Sequence, residues 1–294
     1  MKAADFEYRC ASSIAEACQL LADAKGEGRL IAGGQTLVPL LAMRLARPAL
    51  LIDINRIPDL RGITLRDGAV TVKACTTQSD TLASDIIQIH IPLLTKALRH
   101  VGHTQTRNRG TFGGSLANAD PVAEICMASL ALDCECIAQG TQSQRMLVSE
   151  AFFQGAMTTA LHPEECLTEI RFPLWQEAGH IGTGFQEVSI RRSDFALVAV
   201  AVQGLFDESG ECRRIAIVVG GCSGAPLRCH AVADCLVGTR LEERALCEAM
   251  DLLQNAITPQ SDLHASAEYR RRVVGALLRR AVLEAQREAC AAKR

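Results

Sequence analysis

Two glycine pairs in similar polar surroundings constrain this chain more than any other feature. The first lies in AGGQT, residues 32–36, and the second lies in TFGGS, residues 111–115. Glycine lets the backbone take a positive φ and lets another group approach closely, because it has no Cβ. Each pair therefore predicts either a tight turn or part of a cradle for a ligand.

The flanking hydroxyl residues favour the cradle. Thr36 follows the first pair, and Thr111 and Ser115 enclose the second. Consecutive backbone N–H groups in such loops form an anion-binding nest, and a helix that begins there adds the positive end of its dipole. Neither loop is a Gly-Lys-Ser/Thr phosphate loop or the Gly-x-Gly-x-x-Gly of a dinucleotide fold. Two such loops closing on one pyrophosphate would suit a large, partly apolar dinucleotide.

Length and composition describe a globular protein with more than one domain. The chain has 294 residues, of which 48% are hydrophobic and 22% charged, and that length exceeds the usual size of a single core. A net charge of −2 offers no basic field for nucleic acid or an anionic membrane. The sequence has no membrane-length apolar run, and its first residues lack the apolar segment of a signal peptide. We therefore expect a cytoplasmic protein without a membrane span.

Thirteen cysteines raise the question of a metal site or a disulfide framework. No Cys-x-x-Cys occurs, and the closest groups are Cys134 with Cys136 and Cys222 with Cys229 and Cys235. These spacings do not match zinc or iron–sulfur sites, and an odd count without a secretory signal argues against disulfides. We predict reduced thiols, mostly buried, that behave as small hydrophobic side chains, and no metal site.

Helix and strand signals alternate in the first part of the chain. Ser13 and Glu16 have capping-box spacing ahead of an apolar helical face. RLIAGG (29–34) and ALLIDI (49–54) predict buried strands, the first of which runs into the first glycine pair. The opening of the chain therefore predicts an α/β unit.

Two turn signals follow, and the pattern then changes. Asp67-Gly68 lies between two alternating runs and predicts a β-hairpin, while Asp120-Pro121 predicts the start of a helix. PLWQEAGHIGTG, residues 173–184, holds one proline and three glycines, so we place a domain boundary there. Beyond it, three strand-like runs precede two helical ones, near 241–256 and 266–289.

The two loop motifs together resemble the paired FAD-binding loops of the FAD subunit of molybdenum hydroxylases. This is the carbon monoxide dehydrogenase medium-subunit group, within the wider xanthine dehydrogenase and vanillyl-alcohol-oxidase-type flavoprotein class. The resemblance covers nearly the whole chain. Its other segments, in family order, are FEYRCASSIAEACQLLA, LLIDINRIPDLRGI, RNRGTFGGSLANADP, FFQGAMTTAL and RRSDFALVAVAV.

The resemblance implies an α+β fold. An FAD-binding domain of the vanillyl-alcohol-oxidase (PCMH) type would span residues 1–175, in lobes of about 1–57 and 58–175. A smaller C-terminal domain at 178–290 would contain a three-stranded antiparallel sheet and helices. FAD would lie between the lobes and reach toward the C-terminal domain.

The resemblance also implies which residues contact FAD. The first loop would wrap the pyrophosphate from one side, and the second would close it from the other. Glu124 matches the position of an acid that hydrogen-bonds the ribityl or ribose hydroxyls, and Val101, Leu167 and Gln186 match positions that line the flavin and adenine pocket. The loop residues are Ala32, Gly33, Gly34, Gln35 and Thr36, with Thr111, Phe112, Gly113, Gly114 and Ser115.

Three positions depart from common family patterns. Ser115 stands where many relatives carry Asn, and Phe195 stands where Tyr is frequent. Gln186 stands where eukaryotic relatives carry Lys near the flavin. Losing that positive charge would lower the flavin potential and weaken any pairing with NAD.

The implied function is electron transfer in an oxidoreductase complex. A large molybdopterin subunit would hydroxylate the substrate with oxygen from water, and two [2Fe–2S] clusters on a small subunit would pass the electrons to this FAD. The flavin would then reduce an external acceptor. These partners imply a heterotrimer, arranged as a dimer of heterotrimers. The substrate and the acceptor stay open at this point.

Two alternatives belong to other classes. A free-standing FAD-dependent oxidoreductase would need its own substrate pocket and an acid–base cluster, and no such cluster stands out in the sequence. A non-enzymatic scaffold that has lost FAD would not need the close backbone approach that glycine pairs permit. We therefore expect cofactor binding and no catalytic residue in this chain.

Overall fold

The computed structural model describes residues 2–291, so Met1, the first residue of the predicted FAD-binding domain, lies outside them. A small parallel sheet comes first along the chain. Its central strand is β3 (Leu50–Asp53), flanked by β1 (Glu7–Cys10) and β2 (Gly28–Ile31). The connections contain the helices α1 (Ile14–Asp23) and α2 (Leu37–Ala42).

The start of α1 confirms the predicted capping box. The Ser13 hydroxyl accepts a hydrogen bond from the Glu16 N–H at 3.1 Å, which satisfies one of the free amides at the helix start. The Glu16 carboxylate in turn accepts the Ser12 N–H at 2.7 Å, one residue before the cap. This pair holds the lobe's first helix between β1 and β2.

A five-stranded antiparallel sheet forms the second lobe, with the strand order β4-β5-β10-β6-β7. A two-residue turn with positive φ at Asp67 (50°) and Gly68 (69°) joins its first two strands, as the hairpin signal predicts. The strands are β4 (Ile63–Arg66), β5 (Ala69–Lys73), β6 (Glu135–Gln139), β7 (Gln144–Val148) and β10 (Cys166–Pro173).

Helices fill the long connection between β5 and β6. They carry the second glycine loop and most of the other predicted site residues. The helices are α3 (Gln78–Ala83), α4 (Asp85–His90), α5 (Pro92–Leu98), α6 (Thr104–Arg109), α7 (Phe112–Asn118) and α8 (Glu124–Ala131). Between β7 and β10 lie the short elements α9 (Ser149–Phe152), β8 (Phe153–Gly155) and β9 (Thr158–Thr159).

The C-terminal domain contains an antiparallel sheet of four strands, so the predicted count of three is wrong. The strands are β11 (His180–Ser189), β12 (Ala196–Phe206), β13 (Cys212–Gly220) and β14 (Leu227–Arg228). The extra strand has two residues and follows Pro226, so it is too short to show a period in the sequence. Its helices are α10 (His230–Leu236), α11 (Glu243–Ala256) and α12 (Ala267–Ala291).

Two glycines let α12 pack against the edge strand β11. A Cβ at Gly182 would lie 2.8 Å from the Ala285 carbonyl carbon, and one at Gly184 would lie 2.7 Å from that of Ala281. Residues at even positions of β11 therefore face α12, and alternation turns the other face toward the FAD-binding domain. Phe185 belongs to the large core that also contains residues of α5, α7 and α8. The two domains thus share one continuous core.

The structure is α+β, with a two-lobed first domain and a smaller second one, as predicted. Within residues 2–291, no helix is both long and apolar enough to cross a membrane.

Candidate cofactor-binding site

The structure brings the two glycine loops into direct contact. The first loop follows β2, and the second caps α7. A Cβ at Gly33 would lie 2.8 Å from the Gly110 Cα, so the two backbones touch here. Asn55 fastens the first loop from behind, because its Nδ2 donates to the Ala32 carbonyl at 2.7 Å and to Asp53 Oδ1 at 2.8 Å.

The four glycines serve different purposes. Gly34 has a φ of 70°, which side chains other than glycine rarely adopt. Gly33 and Gly113 lack room for a Cβ because protein fills it; at Gly113 a Cβ would lie 2.7 Å from the Ala74 Cα. Gly114 is exposed on the first turn of α7. The close approach at Gly33 and Gly113 is therefore between protein segments, and only the other two glycines line open space.

The first loop forms a nest of backbone donors. In the part of the chain that the structure describes, the N–H groups of Gly33, Gly34, Gln35 and Thr36 donate to no protein acceptor. Thr36 also begins α2, and its exposed hydroxyl makes no capping bond within those residues. Four consecutive free amides at a loop of this kind bind anions such as a pyrophosphate.

The second loop uses nearly all of its amides internally. The N–H groups of Phe112 and Gly113 donate to the carbonyls of Thr76 and Ala74, both at 2.9 Å. Thr111 caps the helix, since its Oγ1 accepts the Gly114 N–H at 3.2 Å. Because the Phe112 ring is also buried, against Phe172, this loop contributes the start of a helix and an exposed glycine rather than free amides.

Gln78, the first residue of α3, supports the second loop and was not predicted from the sequence. It is buried, and its Nε2 donates to Ser115 Oγ at 2.9 Å, while its backbone N–H donates to the Gly110 carbonyl at 2.9 Å. Its Oε1 has no hydrogen-bond partner within residues 2–291. The 37 residues between Gln78 and Ser115 leave no local signal that would reveal this contact.

Glu124 lies at the other end of the site, as the first residue of α8. Burial raises the pKa of its carboxyl to about 7, and the neighbouring charges of Glu187 and Asp120 raise it further against an opposing effect of His100. The predicted helix start at Asp120-Pro121 is wrong. Asp120 forms a turn instead, in which its Oδ1 accepts the Val122 N–H at 3.0 Å and its carbonyl accepts the Ala123 N–H at 3.0 Å.

A histidine and a second carboxylate lie beside Glu124, and sequence analysis had missed both. His100 Nδ1 is 3.1 Å from Glu187 Oε1, and the hydrogen bond raises the pKa of His100. The His100 ring also packs against Phe185, with 5.2 Å between ring centroids. Val101, which was predicted, follows His100 and packs partly buried against the large core.

Leu167 and Gln186 lie apart from the loops. Leu167 is buried in the large core on β10, where it pairs with Ala138 of β6. The Gln186 side chain faces α12, and its Nε2 donates to Glu284 Oε2 at 2.7 Å. On the opposite face of β11, Glu187 is the neighbour that meets His100.

The cysteines are free thiols that mostly lie in the cores, in agreement with the sequence. All thirteen fall within residues 2–291, and nine of them are buried. Burial raises the pKa of Cys75 to about 12, so this thiol stays protonated at neutral pH. Among these same residues, no cluster of three or more His, Cys, Asp or Glu is placed to hold a metal ion.

Comparison with known proteins gives matches over the whole of this architecture. Residues 4–175 match the family model of the FAD binding domain in molybdopterin dehydrogenase, and residues 183–285 match that of the CO dehydrogenase flavoprotein C-terminal domain. The chain is 35% identical over 285 residues to the 6-hydroxypseudooxynicotine dehydrogenase complex subunit alpha of Paenarthrobacter nicotinovorans, which covers 97% of this chain and 96% of that relative.

Solved structures show the same fold. A chain of the carbon monoxide dehydrogenase from Hydrogenophaga pseudoflava superposes with a TM-score of 0.94 at 32% identity, over 98% of this chain and all of the other. A chain of quinoline 2-oxidoreductase from Pseudomonas putida 86 superposes with a TM-score of 0.93 at 32% identity, over 99% of this chain and all of the other.

Proposed function

The chain belongs to the family of FAD-binding subunits of molybdopterin dehydrogenases, and from this premise we propose how its residues hold the cofactor. The family resemblance predicted from the loop motifs is confirmed. The protein is an oxidoreductase subunit that carries FAD and transfers electrons within a molybdenum-containing dehydrogenase or hydroxylase.

The first glycine loop binds the FAD pyrophosphate through its backbone. The observation that carries this proposal is the run of four unpaired amides from Gly33 to Thr36, directly beside the second loop. The second loop closes the site with the start of α7 and with Gly114, which is exposed where a side chain would intrude. Thr111 and Ser115 hold that loop in shape from within. The residues of both loops, Ala32, Gly33, Gly34, Gln35 and Thr36 with Thr111, Phe112, Gly113, Gly114 and Ser115, thus make up the proposed cradle.

Glu124 accepts hydrogen bonds from hydroxyl groups of the cofactor, and Val101 adds an apolar wall. Support for this assignment comes from the place of Glu124 at the start of α8, where its carboxyl is held half-buried beside His100 and Glu187. Leu167 and Gln186 act from behind the pocket wall, since Leu167 lies in the core and Gln186 hydrogen-bonds Glu284.

FAD supplies one- and two-electron transfer, and the chain's own residues bind it, orient it and shield it from water. The nest offers amide donors without a cationic side chain, so the pyrophosphate is held by hydrogen bonds and dipoles. We assign residues 1–175 to the FAD-binding domain, in lobes of about 1–57 and 58–175, and residues 178–290 to the second domain.

The chain works beside a small [2Fe–2S] subunit and a large molybdopterin subunit, in a cytoplasmic dimer of heterotrimers. Support comes from relatives, one named as subunit alpha of a dehydrogenase complex and another titled by its molybdenum cofactor. Those relatives are named for 6-hydroxypseudooxynicotine, carbon monoxide and quinoline, at similar identity to this chain. The substrate is therefore selected on another subunit.

A charge placed at the nest tests the assignment. Thr36 is exposed and makes no capping bond among the described residues, so Thr36→Asp leaves the packing intact while setting a carboxylate against the pyrophosphate. We expect FAD affinity, measured by flavin fluorescence on the apoprotein, to fall by at least about tenfold. Thr36→Ser is the matched control and keeps the parent affinity.

Thermal unfolding of both variants shows whether the fold is intact. If Thr36→Asp binds FAD as tightly as the parent, the first loop is not the pyrophosphate site. If the purified parent takes up no FAD at all, the cofactor assignment fails as a whole.

A further inference from the structure

Three ionisable side chains meet where the two domains join. His100 follows α5, Glu124 begins α8, and Glu187 projects from β11 of the C-terminal domain. His100 Nδ1 lies 3.1 Å from Glu187 Oε1, and the Glu187 side chain is only 5% exposed. Its second oxygen, Oε2, is buried and has no hydrogen-bond partner within residues 2–291. A buried carboxylate with one free oxygen needs a proton or a positive charge nearby.

Charges from every neighbouring element act on this cluster. Glu187 and Asp120 disfavour the charged form of Glu124, whereas His100 favours it. Arg192, in the connection between β11 and β12, disfavours the charged form of His100. Cys126, one turn along α8, is buried and stays a neutral thiol.

The remaining cation in this region is already engaged. Lys96, one turn before His100 on α5, bonds Glu284 at 2.7 Å and Glu288 at 2.9 Å on α12. His100 is therefore the group that balances Glu187.

The cluster lies at the far end of α7 from the second glycine loop. That helix has seven residues, so it spans about 10 Å from Thr111 to the turn that precedes Glu124. A dinucleotide whose pyrophosphate lies at the glycine loops reaches this distance. The carboxyl of Glu124 is then the point where the cluster and the cofactor meet.

We propose that His100 and Glu187 are positioning residues for Glu124, and that the three form one proton-holding cluster that links FAD binding to the release of a proton. The proposal rests on the assignment of Glu124 as an acceptor of hydrogen bonds from FAD hydroxyls. An acceptor carboxylate must be ionised, whereas in the free chain Glu124 is protonated over half of its population below about pH 7. Binding below that pH therefore expels a proton to solvent, past the partly exposed His100.

The sign of the pH dependence follows from this linkage. FAD affinity rises with pH while free Glu124 is still protonated, and it levels off once Glu124 is ionised in both states. With a midpoint near 7, we expect affinity to increase about tenfold between pH 6 and pH 8. The pyrophosphate of FAD stays ionised throughout this range, so the change reports on the protein.

Two variants shift the profile in opposite directions. Glu187→Gln removes the negative charge that opposes ionisation of Glu124, so its midpoint moves to lower pH. His100→Gln keeps a donor for Glu187 but removes the positive charge, so its midpoint moves to higher pH. Loss of packing alone would weaken binding in both variants without opposite shifts. Glu124→Gln abolishes the dependence between pH 6 and pH 8.

The chain offers a matched control in a second histidine–glutamate pair. His230 Nε2 lies 3.0 Å from Glu150 Oε1, but both side chains are exposed, so Glu150→Gln leaves the profile unchanged. The measurement is FAD binding to the apoprotein of the full chain from pH 6 to pH 8, by fluorescence and by calorimetry in two buffers that differ in ionisation enthalpy. Calorimetry counts the protons released per FAD.

The inference is overturned if the parent binds FAD with a flat profile, if Glu124→Gln keeps the slope, or if the two charge variants move the midpoint in the same direction. Each of these results leaves FAD binding at the glycine loops intact. A parent that binds no FAD overturns the proposed site and this inference together, and so differs from all three.

Discussion

The first glycine loop leaves four backbone amides free, whereas the second spends its amides on Thr76, Ala74 and its own helix cap. The two loops have nearly the same residue pattern, yet one is a donor nest and the other is a rigid wall. The difference comes from what lies behind each loop. β5 and the residues after it pass directly under Phe112 and Gly113, while the first loop projects beyond the edge of its small sheet. The same motif thus provides binding in one place and positioning in the other.

A side chain at Gly113 tests the wall most severely. In Gly113→Val, the new atoms meet Ala74 where a Cβ alone would already lie 2.7 Å from the Ala74 Cα. We expect the free energy of unfolding to fall by about 3 kcal/mol, by overpacking against backbone that has no room to move. Urea denaturation measures this loss. Gly114→Ala, on the exposed side of the same turn, is the control, and an equal loss there would contradict the distinction between the two glycines.

At Gly34 the expected loss is smaller, because only backbone strain is involved. A φ of 70° costs an alanine about 1–2 kcal/mol, and Val38 Cγ2 at 3.0 Å has to shift slightly. Gly34→Ala should therefore lose about 1–2 kcal/mol of stability and also bind FAD more weakly, since the nest is distorted. Gly68→Ala, at a similar φ of 69° in the β4–β5 turn, provides the comparison. It should lose similar stability and keep full FAD affinity; equal FAD affinities in the two variants would argue against the nest.

Removing the hydroxyl of Ser115 should cost about 1 kcal/mol. Ser115→Ala leaves the buried Gln78 amide without its acceptor, and Gln78 Oε1 already lacks a partner among the described residues. If the second loop only positions, FAD affinity should change much less in Ser115→Ala than in Thr36→Asp. Unfolding and FAD titrations on the same preparations give both numbers. A larger loss of affinity in Ser115→Ala would make the second loop the main binding element.

The smallest effect is expected where the loops and the carboxyl cluster are compared. Thr36→Asp binds FAD more weakly at every pH, but its profile should keep the midpoint near pH 7, because Glu124 lies beyond the far end of α7. In both the parent and the variant, affinity rises as Glu124 loses its proton between pH 6 and pH 8. Parallel profiles support two independent ends of the site. A displaced midpoint would show that the nest and the cluster are coupled.

Much of the fold and the first shell of the site were predictable from the sequence. The capping pair Ser13 and Glu16 and the turn Asp67-Gly68 act over a few residues, so their outcome is written locally. The paired loops were recognisable for a different reason, since their joint resemblance to a family places them in order along the whole chain. The start of α8 was predicted wrongly, because Asp120 has equally good local uses as a cap and as a turn residue.

The sequence by itself determined the family, the two-domain order and the identity of the loop residues, because these depend on short patterns and their spacing. Only the tertiary structure decided that Gly33 and Gly113 are required by neighbouring backbone, that Gln78 supports Ser115, and that Glu187 rather than Gln186 meets His100. These contacts join residues from about 37 to 87 positions apart along the chain. Such pairs form when sheets and helices pack, and the face that a strand residue presents depends on the register of the whole strand.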